Sequence, residues 1–323
     1  MNLHGNLKGK TTWELVNPDG TIAQSSREAN GLILPDSMGE NSNLILDQGL
    51  NNFFAEFSQE MRIFRDRLVI GTSNTVPNAS QIGLGAQIGG SSASDGGFTS
   101  EESFSVVAVP ASNVWRYTGT IVRVITVGSN VNIAEYGLAG HPTFTDGSLS
   151  IRELTRNNLG NPVVISALAG QTFKLKHTLI VELPYNPVAA SFTISGASGG
   201  LQSGTATWYS PASDFTIFQT WLSYYGGAIR PLANTSSTSP IVAPDTTFGT
   251  VNGSVLPYVA GSFEAIKRYV IPPSALVGNH GGWEFRSNLG NGGYKFIRSS
   301  GNYVKSNSVQ LTMDARVSWS RAP

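Results

Sequence analysis

The chain has 323 residues, in which 21 Lys plus Arg balance 21 Asp plus Glu, and it contains no cysteine. That balance argues against a nucleic-acid-binding surface spread over the chain, which needs a basic excess. The missing cysteines exclude disulfides and thiolate zinc sites.

Charged residues make up 13%, about half the share of an ordinary soluble domain. Charge therefore gives the surface little protection against self-association. Hydrophobic residues make up 40%, enough for real cores, and the length suits two domains. No stretch reaches the ~18 apolar residues of a membrane span. Met1 to Lys10 lacks the apolar centre of a signal peptide, so the protein is expected to be made in a cytoplasm and not exported by the common route.

In chain order, Thr12 to Val16 reads as a strand and Asn17-Pro18-Asp19-Gly20 as a turn. Thr21 to Gln24 returns as the partner strand. A helix is expected over residues 44–62, because Leu46, Leu50, Phe53, Phe54, Phe57 and Met61 fall on one face of a 3.6-residue period. Asn41, Ser42 or Asn43 would cap it. Arg67 to Gly71 is a short strand, followed by loop-like sequence from Ser73 to Gly97. Further strands are expected at Ser103 to Val109, Asn113 to Val127, Asn132 to Leu138, Leu149 to Leu154, Val163 to Ala167 and Phe173 to Leu183. Tyr117 to Val127 carries apolar residues on both faces, as a central strand does. Two prolines in Leu183-Pro184-Tyr185-Asn186-Pro187 mark a domain boundary. Asn234 to Pro244 is a Ser/Thr/Pro-rich loop. Ser308 to Trp319 alternates cleanly, with Val309, Leu311, Met313, Ala315, Val317 and Trp319 on one face. The expected fold class is mainly β: two β-sandwich-like domains, 1–185 and 186–323, with one amphipathic helix near the N-terminus.

Chemistry is sparse. His4, His141, His177 and His280 show no metal-ligand spacing. Gly196-Ala197-Ser198-Gly199-Gly200 matches GxSxG, but the helix that should follow a nucleophile elbow is missing from the pattern. Gly83, Gly85 and Gly89 lack the strand–turn–helix context of a dinucleotide loop. Asp146, Glu153, Asp214, Asp245 and Glu264 are acids of the kind glycoside hydrolysis pairs across a cleft, but sequence does not pair them. The expectation is no enzyme, with no catalytic, cofactor-binding or metal-binding residue and no cofactor.

Several segments resemble, in order, a family of tailed-bacteriophage virion structural proteins, associated with the tail or tail tip. Asn43-Leu44-Ile45-Leu46-Asp47-Gln48-Gly49-Leu50 resembles the family's N-L-I-L-D-x-G-L. Val69-Ile70-Gly71-Thr72-Ser73 through Pro77 to Leu84 resembles x-G-T-G-x-x-x-P, with Ser73 where glycine is common. Ile133-Ala134-Glu135-Tyr136-Gly137-Leu138 resembles I-x-E-x-G-L. Ser150-Ile151-Arg152-Glu153-Leu154 through Asn161-Pro162-Val163-Val164-Ile165 resembles S-R-x-L-x-x-x-x-G-N-P-x-x-I, with Ile151 intervening and Glu153 replacing a small or apolar residue. Phe173-Lys174-Leu175 to Glu182-Leu183 is similar to a family strand, and Ser318-Trp319-Ser320-Arg321 resembles a C-terminal S-W-G-R. The match spans most of the first half plus the last strand. It carries no catalytic residues. Gly71 and Gly137 are expected at strand ends needing positive φ.

The resemblance implies a virion subunit of the tail (adaptor, nozzle, baseplate or tail tip), acting as a homo-oligomer. Its partners would be copies of itself and neighbouring virion proteins, with no nucleic acid and no membrane span. Alternatives are a capsid decoration or cement protein, a receptor- or glycan-binding tail tip with Trp208, Tyr209, Trp221, Tyr224 and Tyr225 on a host-surface glycan, and a glycan-degrading tail enzyme. The terminal strand is expected to be buried.

Overall fold

The structure is a computed structural model, and it describes residues 2–29, 32–33, 41–55, 67–91, 103–139, 149–184, 188–195, 200–209, 228–232, 251–286, 293–299 and 303–321. Of the described chain, 64% is strand and 4% helical, so the protein is mainly β as the turn-punctuated β-branched runs imply. No described helix is long and apolar enough to cross a membrane.

The chain divides into two compact units built from discontinuous segments. One, the barrel unit, comprises Met1–Asn6, Ser105–Tyr117 and Val181–Ser320; the other, the sheet unit, comprises Leu7–Phe104, Thr118–Ile180 and Arg321–Pro323. This division differs from the expected linear cut between 185 and 186. Strands Asn2–Val16, Val114–Thr126 and Thr172–Pro184 each contribute to both units, and no composition shift marks a division inside a strand.

In the sheet unit, an antiparallel ladder runs through Gln87–Gly90, Arg67–Gly71, Glu135–Ala139, Leu149–Leu154 and Asn41–Ile45 to the strand Asn2–Val16. The opening hairpin forms as expected. Glu14, Leu15 and Val16 pair with Ser25, Gln24 and Ile22. Gly20 takes φ 86° in the turn, and the Asp19 carboxylate accepts from Thr21 N at 2.9 Å.

The helix spans Asp47–Ala55 and starts later than expected. Asn41–Ile45 is instead a strand, in which Asn43, Ser42 and Asn41 pair with Gly9, Lys10 and Thr11, and Ile45 and Leu44 with Ile151 and Arg152. The three polar residues proposed as caps are poor helix formers, and the neighbouring strand Asn2–Val16 gives their backbone a better set of partners. Residues 56–62 of the expected helix lie outside the described residues. Leu46, Val69, Ala139 and Leu149 form an apolar cluster, with Leu44 and Leu84 against it. Trp13 stacks on Phe173 at 6.3 Å.

In the barrel unit the ladder closes on itself. Glu264–Ile271 pairs with Leu311–Arg321, and that strand with Val188–Ser195. The path continues through Gly200–Tyr209, Gly293–Arg298, Gly282–Arg286 and Ala228–Leu232 to Val251–Asn252. One residue on, Ser254–Val255 pairs with Arg268 and Lys267 of the first strand. Every pairing is antiparallel. The expected sandwich for 186–323 is thus a closed barrel of eight strands, with 251–255 counted as one. Closure abolishes free edges. Gly253 sits at the closing seam, where a Cβ would lie 2.7 Å from the Tyr269 ring. Inward positions alternate as β geometry requires. Leu311, Met313, Ala315 and Trp319 are buried, and Tyr269 meets Phe285 edge-on at 5.7 Å. The terminal strand is a central strand, as its alternation predicts.

Candidate functional site

Two polar constellations stand out, one in each unit. In the sheet unit, Glu135 and Arg152 are fully buried on neighbouring strands. Gly137 faces Arg152 in the register, which puts Glu135 diagonally across from it. Arg152 Nε and Nη2 donate to Glu135 Oε2 at 2.8 and 2.7 Å. The carboxylate also accepts from Ser73 N at 3.3 Å, Gly85 N at 3.1 Å and Ala86 N at 2.9 Å. The guanidinium also donates to Thr75 O at 3.1 Å and to Gln81 Oε1. The ion pair therefore clamps the irregular segment 72–86 onto the sheet. Its carboxylate has no free position for proton transfer, so the arrangement is architectural.

Gly71 and Gly137 have no positive φ, which corrects the turn reading. A Cβ on Gly71 would lie 2.5 Å from Glu135 Oε1, and one on Gly137 2.5 Å from Leu149 Cδ1. Close approach is the constraint. Gly160, before Asn161 and Pro162, does take φ 78°.

The segments of the family resemblance meet one another in this unit. Leu46 N donates to Ser150 O at 2.9 Å and Asp47 N to Ala79 O at 2.8 Å. Arg321 donates to Ile45 O and the Asp47 carboxylate at the start of the helix. The clamped segment and the strand that follows it are uncharged from Thr72 to Gly90. The segment presents Val76 and Ile82 to solvent, at 71% and 53% exposure, and the strand presents Ile88.

The second constellation lies at one end of the barrel. Gly204 pairs with Arg298 and Phe296 with Trp283, and Arg298 N donates to Gly281 O at 3.0 Å. The ribbon of Gly278–His280 and Tyr303–Lys305 follows at the same end. Lys305 Nζ there donates to Pro272 O at 3.0 Å and Pro273 O at 2.8 Å. Trp283 lies 6.3 Å from Tyr303, ring to ring, and the Arg298 guanidinium 5.9 Å from the Tyr303 ring centre. Burial raises the pKa of the Tyr303 hydroxyl, and Arg298 works against that rise.

Among the described residues, those weighed from sequence do not converge. Glu153 pairs with Arg156 at 2.9 Å and accepts from Leu154 N at 2.9 Å, while Glu264 pairs with Arg316 at 2.9 Å. His4 bonds Ser318 and Ser320 hydroxyls, and His280 bonds Leu276 O at 2.7 Å. Gly85 and Gly89 belong to the clamped segment and its strand. Ser198, His141, Asp146, Asp214, Asp245, Trp221, Tyr224 and Tyr225 lie outside the described residues, as do the side chains of Trp208 and Tyr209. Among the described residues, no group of three or more His, Asp or Glu is placed to hold a metal.

His177 is buried, with Nδ1 3.1 Å from Asn43 Nδ2. Burial pushes its pKa down to about 3. Above about pH 6.5 the folded and unfolded states both hold it neutral. Below that, the unfolded chain binds the proton first, so stability falls as pH drops from about 6.5 toward 3. At pH 5 the loss relative to pH 7 is expected to be about 2 kcal/mol. Comparing denaturation of wild type and His177→Gln at both pH values checks this. The variant should lack that increment, and equal pH slopes would refute it.

No family model, no curated protein and no solved structure matches this chain.

Proposed function

We propose that the chain is a non-enzymatic structural subunit of a bacteriophage particle, a tail component (adaptor, nozzle, baseplate or tail tip) working as a homo-oligomer inside the virion. The observation that carries the reading is the clamped segment. A buried, fully bonded ion pair holds an uncharged surface with two exposed aliphatic side chains, Val76 and Ile82, in one shape. Rigid apolar surface without charge is what a subunit contact needs, because ordering costs are met before association. The motif segments of the phage resemblance serve this same scaffold, which supports architecture over chemistry. The finer fold goes with the reading: a sandwich-like sheet unit, and an amphipathic helix, with Leu46 and Leu50 buried at its start.

Val76→Asp with Ile82→Asp tests it. Both side chains are exposed, so the melting transition should move by no more than about 0.5 kcal/mol, while incorporation into particles should fall sharply. Full incorporation of a normally folded double variant would remove this face as the contact.

A further inference from the structure

At the barrel end described above, four side chains hold buried polar atoms with no hydrogen-bond partner among the described residues. They are Gln202 Oε1, Trp283 Nε1, the Tyr303 hydroxyl, and Nε and Nη1 of Arg298. Trp283, Gln202 and Tyr303 are 0%, 5% and 6% exposed. The register gathers them. Strands 200–209 and 282–286 begin at this end and strand 293–298 finishes there, with Tyr303 opposite His280 in the overlying ribbon. Folded interiors pair nearly all such atoms, so one orphan is a curiosity and a group at one barrel end calls for an occupant. Mouths of small barrels are common ligand sites.

The donor set states the chemistry. Arg298 offers a cationic guanidinium whose Nε–H and Nη1–H, on opposite edges of its plane, are unbonded, and Trp283 and Tyr303 each offer one donor. A cation and two neutral donors suit an oxyanion. The described carboxylate nearest in sequence, Glu284, follows Trp283 in the same strand, so its side chain points to the opposite face. Lys305, the other cation at this end, is occupied by the Pro272 and Pro273 carbonyls. Gln202 Oε1 is an acceptor and asks for a hydroxyl, since its Nε2 already donates to Gly200 O at 3.3 Å. The Trp283 and Tyr303 rings, 6.3 Å apart, wall these polar atoms with buried aromatic surface. We infer that this end of the barrel binds an anionic sugar, through Arg298 on the oxyanion and Gln202 on a hydroxyl. The inference stands on the barrel alone and does not need the particle role.

The full chain is titrated with glucuronate, glucose 6-phosphate and glucose, followed by tryptophan fluorescence and calorimetry. One or both anions should bind and glucose should not, with the tighter anion identifying carboxylate or phosphate as the group held. Arg298→Gln should weaken the anion roughly 10- to 100-fold, the scale of a lost charge-assisted hydrogen bond. Trp283→Phe, which keeps most of the ring, should retain the fold and lose part of the affinity. Silence from both anions up to about millimolar concentration, or binding unchanged by Arg298→Gln in a normally melting variant, would overturn the assignment.

Discussion

Glu135→Ala and Arg152→Ala should each destabilise the sheet unit by about 3–5 kcal/mol, because each leaves the partner's charge buried and unpaired. Both side chains are fully excluded from solvent, so water cannot take over the lost contact. The Glu135 variant also strands the N–H groups of Gly85 and Ala86 that its carboxylate holds. The paired replacement Glu135→Gln with Arg152→Met removes both charges, and it should cost less than the sum of the single changes. Denaturant titration reads all of these. A single alanine variant costing less than about 1 kcal/mol would mean the pair does not hold segment 72–86. Proteolysis within that segment should rise in the single variants, since its shape depends on the clamp.

Deleting residues 308–323 should abolish folding of the barrel unit. The strand Leu311–Arg321 is paired along one edge from Glu264 to Ile271 and meets Ile194 and Ser195 on the other. Removing it opens the ring and exposes two edges. Leu311, Met313 and Trp319 are buried, and each fully buried large side chain contributes roughly 1.5–3 kcal/mol. Together with the lost ladder, that rivals the ~5–15 kcal/mol total stability of an ordinary domain. The truncated protein should be protease-sensitive, lack a cooperative barrel transition and fail to enter particles. A soluble truncated chain with a sharp transition and normal incorporation would contradict both the closed ring and its use in assembly. Met313→Asp tests the same layer without shortening the chain.

The elements that could be read in the sequence were those with local signals. Alternation from Val309 to Trp319 gave the terminal strand and its buried face. Asn17-Pro18-Asp19-Gly20 gave the first turn. Leu44 and Ile45 misled, because they lie next to Leu46 and Leu50 and join the helical stripe as readily as a strand. Only pairing with Gly9–Thr11 and Ile151–Arg152 decides between them, and that is non-local. The strand from Asn2 was missed because His4, Gly5, Asn6 and Gly9 dilute its alternation. Barrel closure was invisible, since it depends on 251–255 serving two partners at once.

The sites divide in the same way. Glu135 and Arg152 put charge into largely apolar strands, a signal legible in sequence, but Glu153 beside Arg152 left the pairing undecided, and the hydrogen bonds to segment 72–86 were not foreseeable. Gln202, Trp283, Arg298 and Tyr303 share no spacing or motif, and only the register of the closed ring brings them to one end.

The central claim is that the chain is a stoichiometric structural part of a phage particle. Quantitative mass spectrometry of purified particles, combined with gold labelling of the protein, tests it most directly. The account predicts a fixed, symmetry-compatible number of copies in every particle, with label at one defined position on the tail. A protein present in infected cells but absent from purified infectious particles would contradict it.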